Sequence, residues 1–107
     1  WRGLVCVKGA PEVVARLCRV GTVPEGFADE VRWLGEQGYR LLALAHRWVD
    51  SEAELDEVCR PGRAGRAAAE RDLTLDGLLV AENKVRSESP GVVSSLRRGG
   101  IAAVMAT

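Results

Sequence analysis

The stretch Leu4-Val5-Cys6-Val7-Lys8-Gly9-Ala10-Pro11-Glu12 constrains the fold more than any other. Its valine-rich apolar run suits a short buried strand over 3–8, and the small residues that follow form a turn. Proline then opens a helix, because its fixed φ and missing N–H suit the first helical position. A strand ending in a lysine beside two small residues sets one ammonium and bare backbone against a bound anion or purine. Equally, the same residues read as an ordinary strand, turn and helix with a solvated lysine.

The pattern continues downstream. Val13, Val14 and Leu17 form an apolar stripe over 12–18, and Phe27, Val31 and Leu34 form another over 25–37, with Gly38 as the stop signal. Tyr39 to Ala45 reads as a buried strand, and Ser51 as the cap of a short helix. The Ala-, Gly- and Arg-rich stretch 60–71 reads as a loop or insertion. Leu73 to Val80 alternates and then turns wholly apolar, as a strand passing from a sheet edge to its interior would. A helix over 90–98 ended by Gly99-Gly100 and a strand over 101–105 complete a predicted βαβ unit. The expected fold class is α/β: mainly antiparallel strands with helices first, then the opening of a doubly wound domain.

Lys plus Arg and Asp plus Glu number 15 each in 107 residues, so the formal net charge is zero and no global field favours nucleic acid. The basic cluster Arg60, Arg63 and Arg66 lacks the interleaved aromatics that stack bases. Cys6, Cys18 and Cys59 are odd in number and too widely spaced for a zinc knuckle or redox pair, which points to a reducing compartment. No metal site is expected: the acidic run Asp50, Glu52, Glu54, Asp56 and Glu57 has no calcium-loop spacing and reads as a solvated face. His46, the sole histidine, reads as structural or exposed, and Trp1, Trp33 and Trp48 as packing residues. The chain opens on Trp1 and stops after an apolar run, so both ends are expected to be cut.

Four segments in order, Lys8-Gly9-Ala10, Gly38 to Ala45, Gly77-Leu78-Leu79-Val80-Ala81-Glu82-Asn83 and Ile101 to Thr107, resemble the P-type cation-transporting ATPases. The resemblance covers all but about 48–71. Asn83-Lys84-Val85-Arg86, where most ion pumps of the family carry Asp-Pro-Pro-Arg, resembles its type-five branch of polyamine and cation exporters.

The resemblance implies a division into 1–82, the later part of a nucleotide-binding domain; 83–86, a hinge; and 87–107, the re-entry into a HAD-like phosphorylation domain. It implies that Lys8 lines the adenosine pocket with Gly9 and Ala10 letting the backbone approach the base. Arg40 would contact the phosphates, where a guanidinium fork suits paired oxygens. From the residues alone Arg40 reads equally as a surface partner of Glu30 or Glu36. Arg86 takes the place of the hinge arginine, or else pairs with Glu88. Thr107 takes the place of the threonine in the Thr-Gly-Asp motif at the phosphoryl site.

The implied ligands are ATP and Mg2+, the latter held outside this chain, as is the aspartate that becomes phosphorylated. The piece alone is therefore expected to be catalytically incompetent. The implied parent is an endosomal or lysosomal membrane protein that moves a cation or polyamine, with this segment cytosolic and its membrane spans elsewhere. A rival reading is a non-catalytic α/β interaction or regulatory module with an apolar face around Trp33 and Trp48. A stand-alone phosphatase is set aside, since Asp76-Gly77 falls inside a strand instead of at its end.

Overall fold

The computed structural model describes residues 2–107. The elements run β1 (Gly3–Gly9), α1 (Pro11–Leu17), α2 (Phe27–Glu36), β2 (Arg40–Val49), α3 (Glu52–Val58), α4 (Arg63–Ala69), β3 (Thr74–Ala81) and α5 (Ser89–Arg98). The strands form one antiparallel sheet in the order β1-β2-β3. The expected α/β class and the strands and helices up to residue 58 are observed.

Local signals act where expected. Pro11 opens α1, with the Ala10 carbonyl accepting from the N–H groups of Val13 and Val14, both at 3.0 Å. Gly38, at φ 88°, ends α2 in the left-handed conformation that carries no steric cost for glycine, and the Tyr39 N–H donates back to the Leu34 carbonyl at 3.2 Å. The Ser51 hydroxyl accepts from the Glu54 N–H at 3.2 Å and caps α3.

One side of the sheet carries α1 and α2. There Val14, Ala43, Ala45 and Leu73 form the buried core, flanked by Val7, Leu17, Cys18, Phe27, Leu75 and Leu78. Leu73 is tied in by main-chain bonds to the end of α1: its N–H donates to the Leu17 carbonyl at 3.0 Å, and its carbonyl accepts from the Arg19 N–H at 2.8 Å.

β3 departs from the expected passage from edge to interior: it is an edge strand throughout. Its changed pattern is a β-bulge. Leu44 faces Gly77 and Ala45 faces Leu75, which leaves Asp76 as the extra residue. Strict alternation would send Leu75 and Leu78 to opposite faces, and the extra residue returns both to the core.

The expected loop over 60–71 is instead largely α4, a short helix rich in alanine and arginine, both strong helix formers. Gly65 makes its docking possible: a Cβ there would lie 1.8 Å from the Arg60 carbonyl oxygen. The expected strand over 101–105 does not form; these residues are exposed and without regular structure. Among the described residues 101–105 joins no ladder with β3 or any other strand, although β3 keeps an open edge, so the predicted βαβ unit is absent. α5 itself forms, ended by Gly99 and Gly100 as expected, but has no extensive packing on any other described element.

Candidate functional site

Among the described residues no element covers the sheet's second face. Along β2 the burial alternates so that Leu41, Ala43, Ala45, Arg47 and Val49 point toward the helices, and Arg40, Leu42, Leu44, His46 and Trp48 point away. Register aligns Cys6 and Lys8 of β1 with His46 and Leu44, and Leu79 of β3 with Leu42. Directly opposed residues share a face, so Lys8, Arg40 and the apolar surface of Leu42, Leu44 and Leu79 lie on one side.

The structure thus places two of the three cations singled out in the sequence, Lys8 and Arg40, on one face. Lys8 stands opposite Leu44, and Arg40 lies four residues away on the same strand, about 13 Å along it at the usual strand rise. Among the described residues neither side chain has an ion-pair partner, and the pairing of Arg40 with Glu30 or Glu36 is not formed. A groove of about 360 Å³ beside Lys8 is lined by Cys6, Val7, Lys8, Leu44, Ala45 and Asp76.

Gly9 and Ala10 serve the packing of α1. A Cβ on Gly9 would meet Val14 Cγ2 at 3.3 Å, so the small residue there admits the helix against the sheet. Arg86 lies in the segment after β3, five residues beyond Ala81, which is the partner of Arg40. Its carbonyl accepts from the Ser89 N–H at 3.1 Å, and its side chain forms no pair with Glu88 among the described residues. Thr107 is exposed at the end of the unpaired segment and is not brought to the Lys8 face by any hydrogen bond among the described residues.

Two features escape sequence reasoning. His46 Nδ1 lies 2.6 Å from Asp76 Oδ1, and the imidazole edge meets the Trp48 ring at a centroid distance of 6.4 Å. The parity of His46 with Arg40 and Leu44 placed it on the open face, but only the bulge brings Asp76 to it. Arg47, 8% exposed, donates to the carbonyls of Ala68 and Ala69 and pairs with Glu54. Trp33 and Trp48 are both half exposed, so neither is a core residue; Trp1 lies outside the described residues.

Among the described residues no group of three or more His, Cys, Asp and Glu is arranged to hold a metal ion. No helix among them is long and apolar enough to cross a membrane.

No protein-family model matches the chain. Similar proteins are nonetheless plain: it is 42% identical over 103 residues to the probable cation-transporting ATPase 13A5 of Homo sapiens, covering 96% of this chain. It is 40% identical over 101 residues to the polyamine-transporting ATPase 13A2 of Homo sapiens, and 39% identical over 101 residues to the polyamine-transporting ATPase 13A3 of Mus musculus, each covering 94% of the chain. At that coverage the similarity runs through 48–71 as well, wider than the motifs alone indicated. The chain spans about 8% of the length of these relatives. At such identity along nearly all of its residues, the chain belongs to the polyamine- and cation-transporting branch of the P-type ATPases.

Proposed function

We propose that this chain contributes to ATP binding in an ATP-driven P-type transporter that moves a cation or polyamine across an organellar membrane. The observation that carries the reading is the pair Lys8 and Arg40, two cations without ion-pair partners among the described residues, on one uncovered face across an apolar floor. These residues fit a nucleotide. Leu42, Leu44 and Leu79 give a base an apolar surface beside the Lys8 ammonium, while the guanidinium fork of Arg40 answers the phosphates.

ATP supplies the transferable phosphoryl group. Lys8 then lines the adenosine pocket from the groove, and Arg40 orients phosphate oxygens from the neighbouring strand. Gly9 and Ala10 keep the turn beside Lys8 free of bulk. In this reading residues 1–82 serve a nucleotide-binding domain, 83–86 a hinge with Arg86 reaching phosphate on closure, and 87–107 a phosphorylation domain with Thr107 facing the phosphoryl group. Mg2+ and the phosphorylated aspartate are assigned to residues outside this chain.

A second reading, a protein-interaction module, draws on the same uncovered face through its exposed Leu4, Leu42, Leu44, Trp48 and Leu79. ATP titration of the full chain, followed by amide NMR shifts, separates the two. Shifts clustered at residues 8–10 and 40–44 and lost in Lys8→Ala and Arg40→Ala support the nucleotide reading; a folded spectrum indifferent to millimolar ATP overturns it for this chain.

A further inference from the structure

His46 and Asp76 play no part in the nucleotide reading, yet their position relative to Cys6 is specific. Register places Cys6 directly opposite His46, where side chains on a shared face have Cβ atoms about 5 Å apart. The Asp76 carboxylate engages His46 Nδ1 at 2.6 Å, which selects the tautomer with the proton on Nδ1 and leaves Nε2 as an acceptor. Trp48 meets the ring in a T-shaped contact at a centroid distance of 6.4 Å. Cys6 is exposed and lines the groove together with Asp76 and Lys8. Thiol, oriented imidazole and carboxylate are the three parts that activate a cysteine nucleophile.

We propose that Cys6 is a site of thiol–disulfide modification by small anionic disulfides, with His46 as its base and Asp76 as the residue that positions His46. The Cys6 S–H proton passes to His46 Nε2. The thiolate bonds to one sulfur of the disulfide and its S–S bond breaks. The other sulfur departs as a thiolate and the imidazolium gives its proton to that thiolate or, where the thiolate is weakly basic, to water, so one thiol and one disulfide give one mixed disulfide, one thiolate and one proton. Lys8, two residues along the same strand face, attracts the negative charge of the incoming reagent. The product fills the groove beside Lys8, so modification and the proposed nucleotide compete for the same space; the thiol chemistry itself does not depend on the nucleotide reading.

The other cysteines are built-in references. Cys59 is exposed at the C-terminal end of α3, on no strand and without the cross-strand histidine that register sets opposite Cys6. Cys18 is partly buried, its thiol donates to the Val14 carbonyl at 3.2 Å, and burial pushes that thiol up from its ordinary value. The test treats the full chain with the anionic disulfide DTNB, follows release of the coloured thiolate, and assigns each modified cysteine by peptide mass spectrometry.

Cys6 is expected to react roughly a hundredfold faster than Cys59, the low end of what a positioned base contributes. His46→Gln and Asp76→Asn are each expected to bring Cys6 down toward the Cys59 rate while leaving Cys59 unchanged, and added imidazole to restore the His46→Gln rate. Slow modification of Cys18 reports that each variant is still folded; if His46→Gln loosens the fold, Asp76→Asn and imidazole rescue carry the test. Equal Cys6 and Cys59 rates in the unaltered chain, or a Cys6 rate indifferent to both variants when Cys18 stays slow, overturn the proposal.

Discussion

The Arg47 guanidinium donates through Nη2 to the main-chain carbonyl of Ala68 at 2.7 Å, so a strand side chain holds the end of a helix 21 residues away. The last carbonyls of a helix have no partner within it and carry the negative end of its dipole. Arg47 meets that end while pairing with Glu54 of α3, and ties the 52–69 segment to the central strand.

Replacing Arg47 with alanine should cost about 3 kcal/mol, because it strands a partly buried carboxylate and uncaps α4 together. Urea denaturation would show the loss as a lowered midpoint, with Arg47→Lys between the two since it keeps the charge and loses the fork. An alanine variant as stable as the parent would mean that α3 and α4 do not depend on this tie.

Gly65→Ala and Gly35→Ala should move stability in opposite directions. A Cβ at Gly65 collides with the Arg60 main chain and should cost about 2 kcal/mol through forced displacement. A Cβ at Gly35 in α2 meets nothing within 4 Å, so alanine there should add roughly 0.5–1 kcal/mol by raising helix propensity. Thermal melts of the two variants give the comparison.

Leu73 is 0% exposed at the joint between α1 and β3. Leu73→Ala should destabilise by about 3 kcal/mol, the sum of lost transfer energy and the cavity left behind. Hydrogen exchange at Arg19 and Leu73, whose main chains bond across this joint, should accelerate more than exchange in α3.

The Asp50 carboxyl is held below its ordinary value, first by the hydrogen bond from Arg2 Nε at 2.6 Å. A lowered value in the folded state means the folded chain favours the ionised form. Its contribution is therefore present above the ordinary carboxylate value and lost as pH falls through the lowered one. Both groups are exposed, so the contribution is small. Carbon NMR titration should place the Asp50 midpoint below that of an unpaired aspartate, and Arg2→Ala should return it; equal midpoints would mean the pair does not persist in solution.

Lys8 and Arg40 were legible before any coordinates, as was their place on strands, because strand parity and the turn after Lys8 are short-range properties. Their common face was not. It follows from the register Lys8 opposite Leu44, which depends on how residues 10–39 fold back between the two strands. The place of Asp76 inside a strand is legible in the sequence, but its role as the extra residue of a bulge shows only once Leu75 and Leu78 both lie against the core.

The chain's residues alone determined the strand–turn–helix opening at Pro11, the helix stops at Gly38 and Gly99-Gly100, the Ser51 cap and the family resemblance. Each rests on a conformational preference or a residue order that acts within a few positions. Tertiary structure decided the rest: that the end of the 63–69 helix is tied to the central strand, through Arg47; that His46 meets Asp76, because the core claims both leucines around it; and that 101–105 joins no ladder among the described strands, since an apolar run becomes a strand only with a partner's hydrogen bonds.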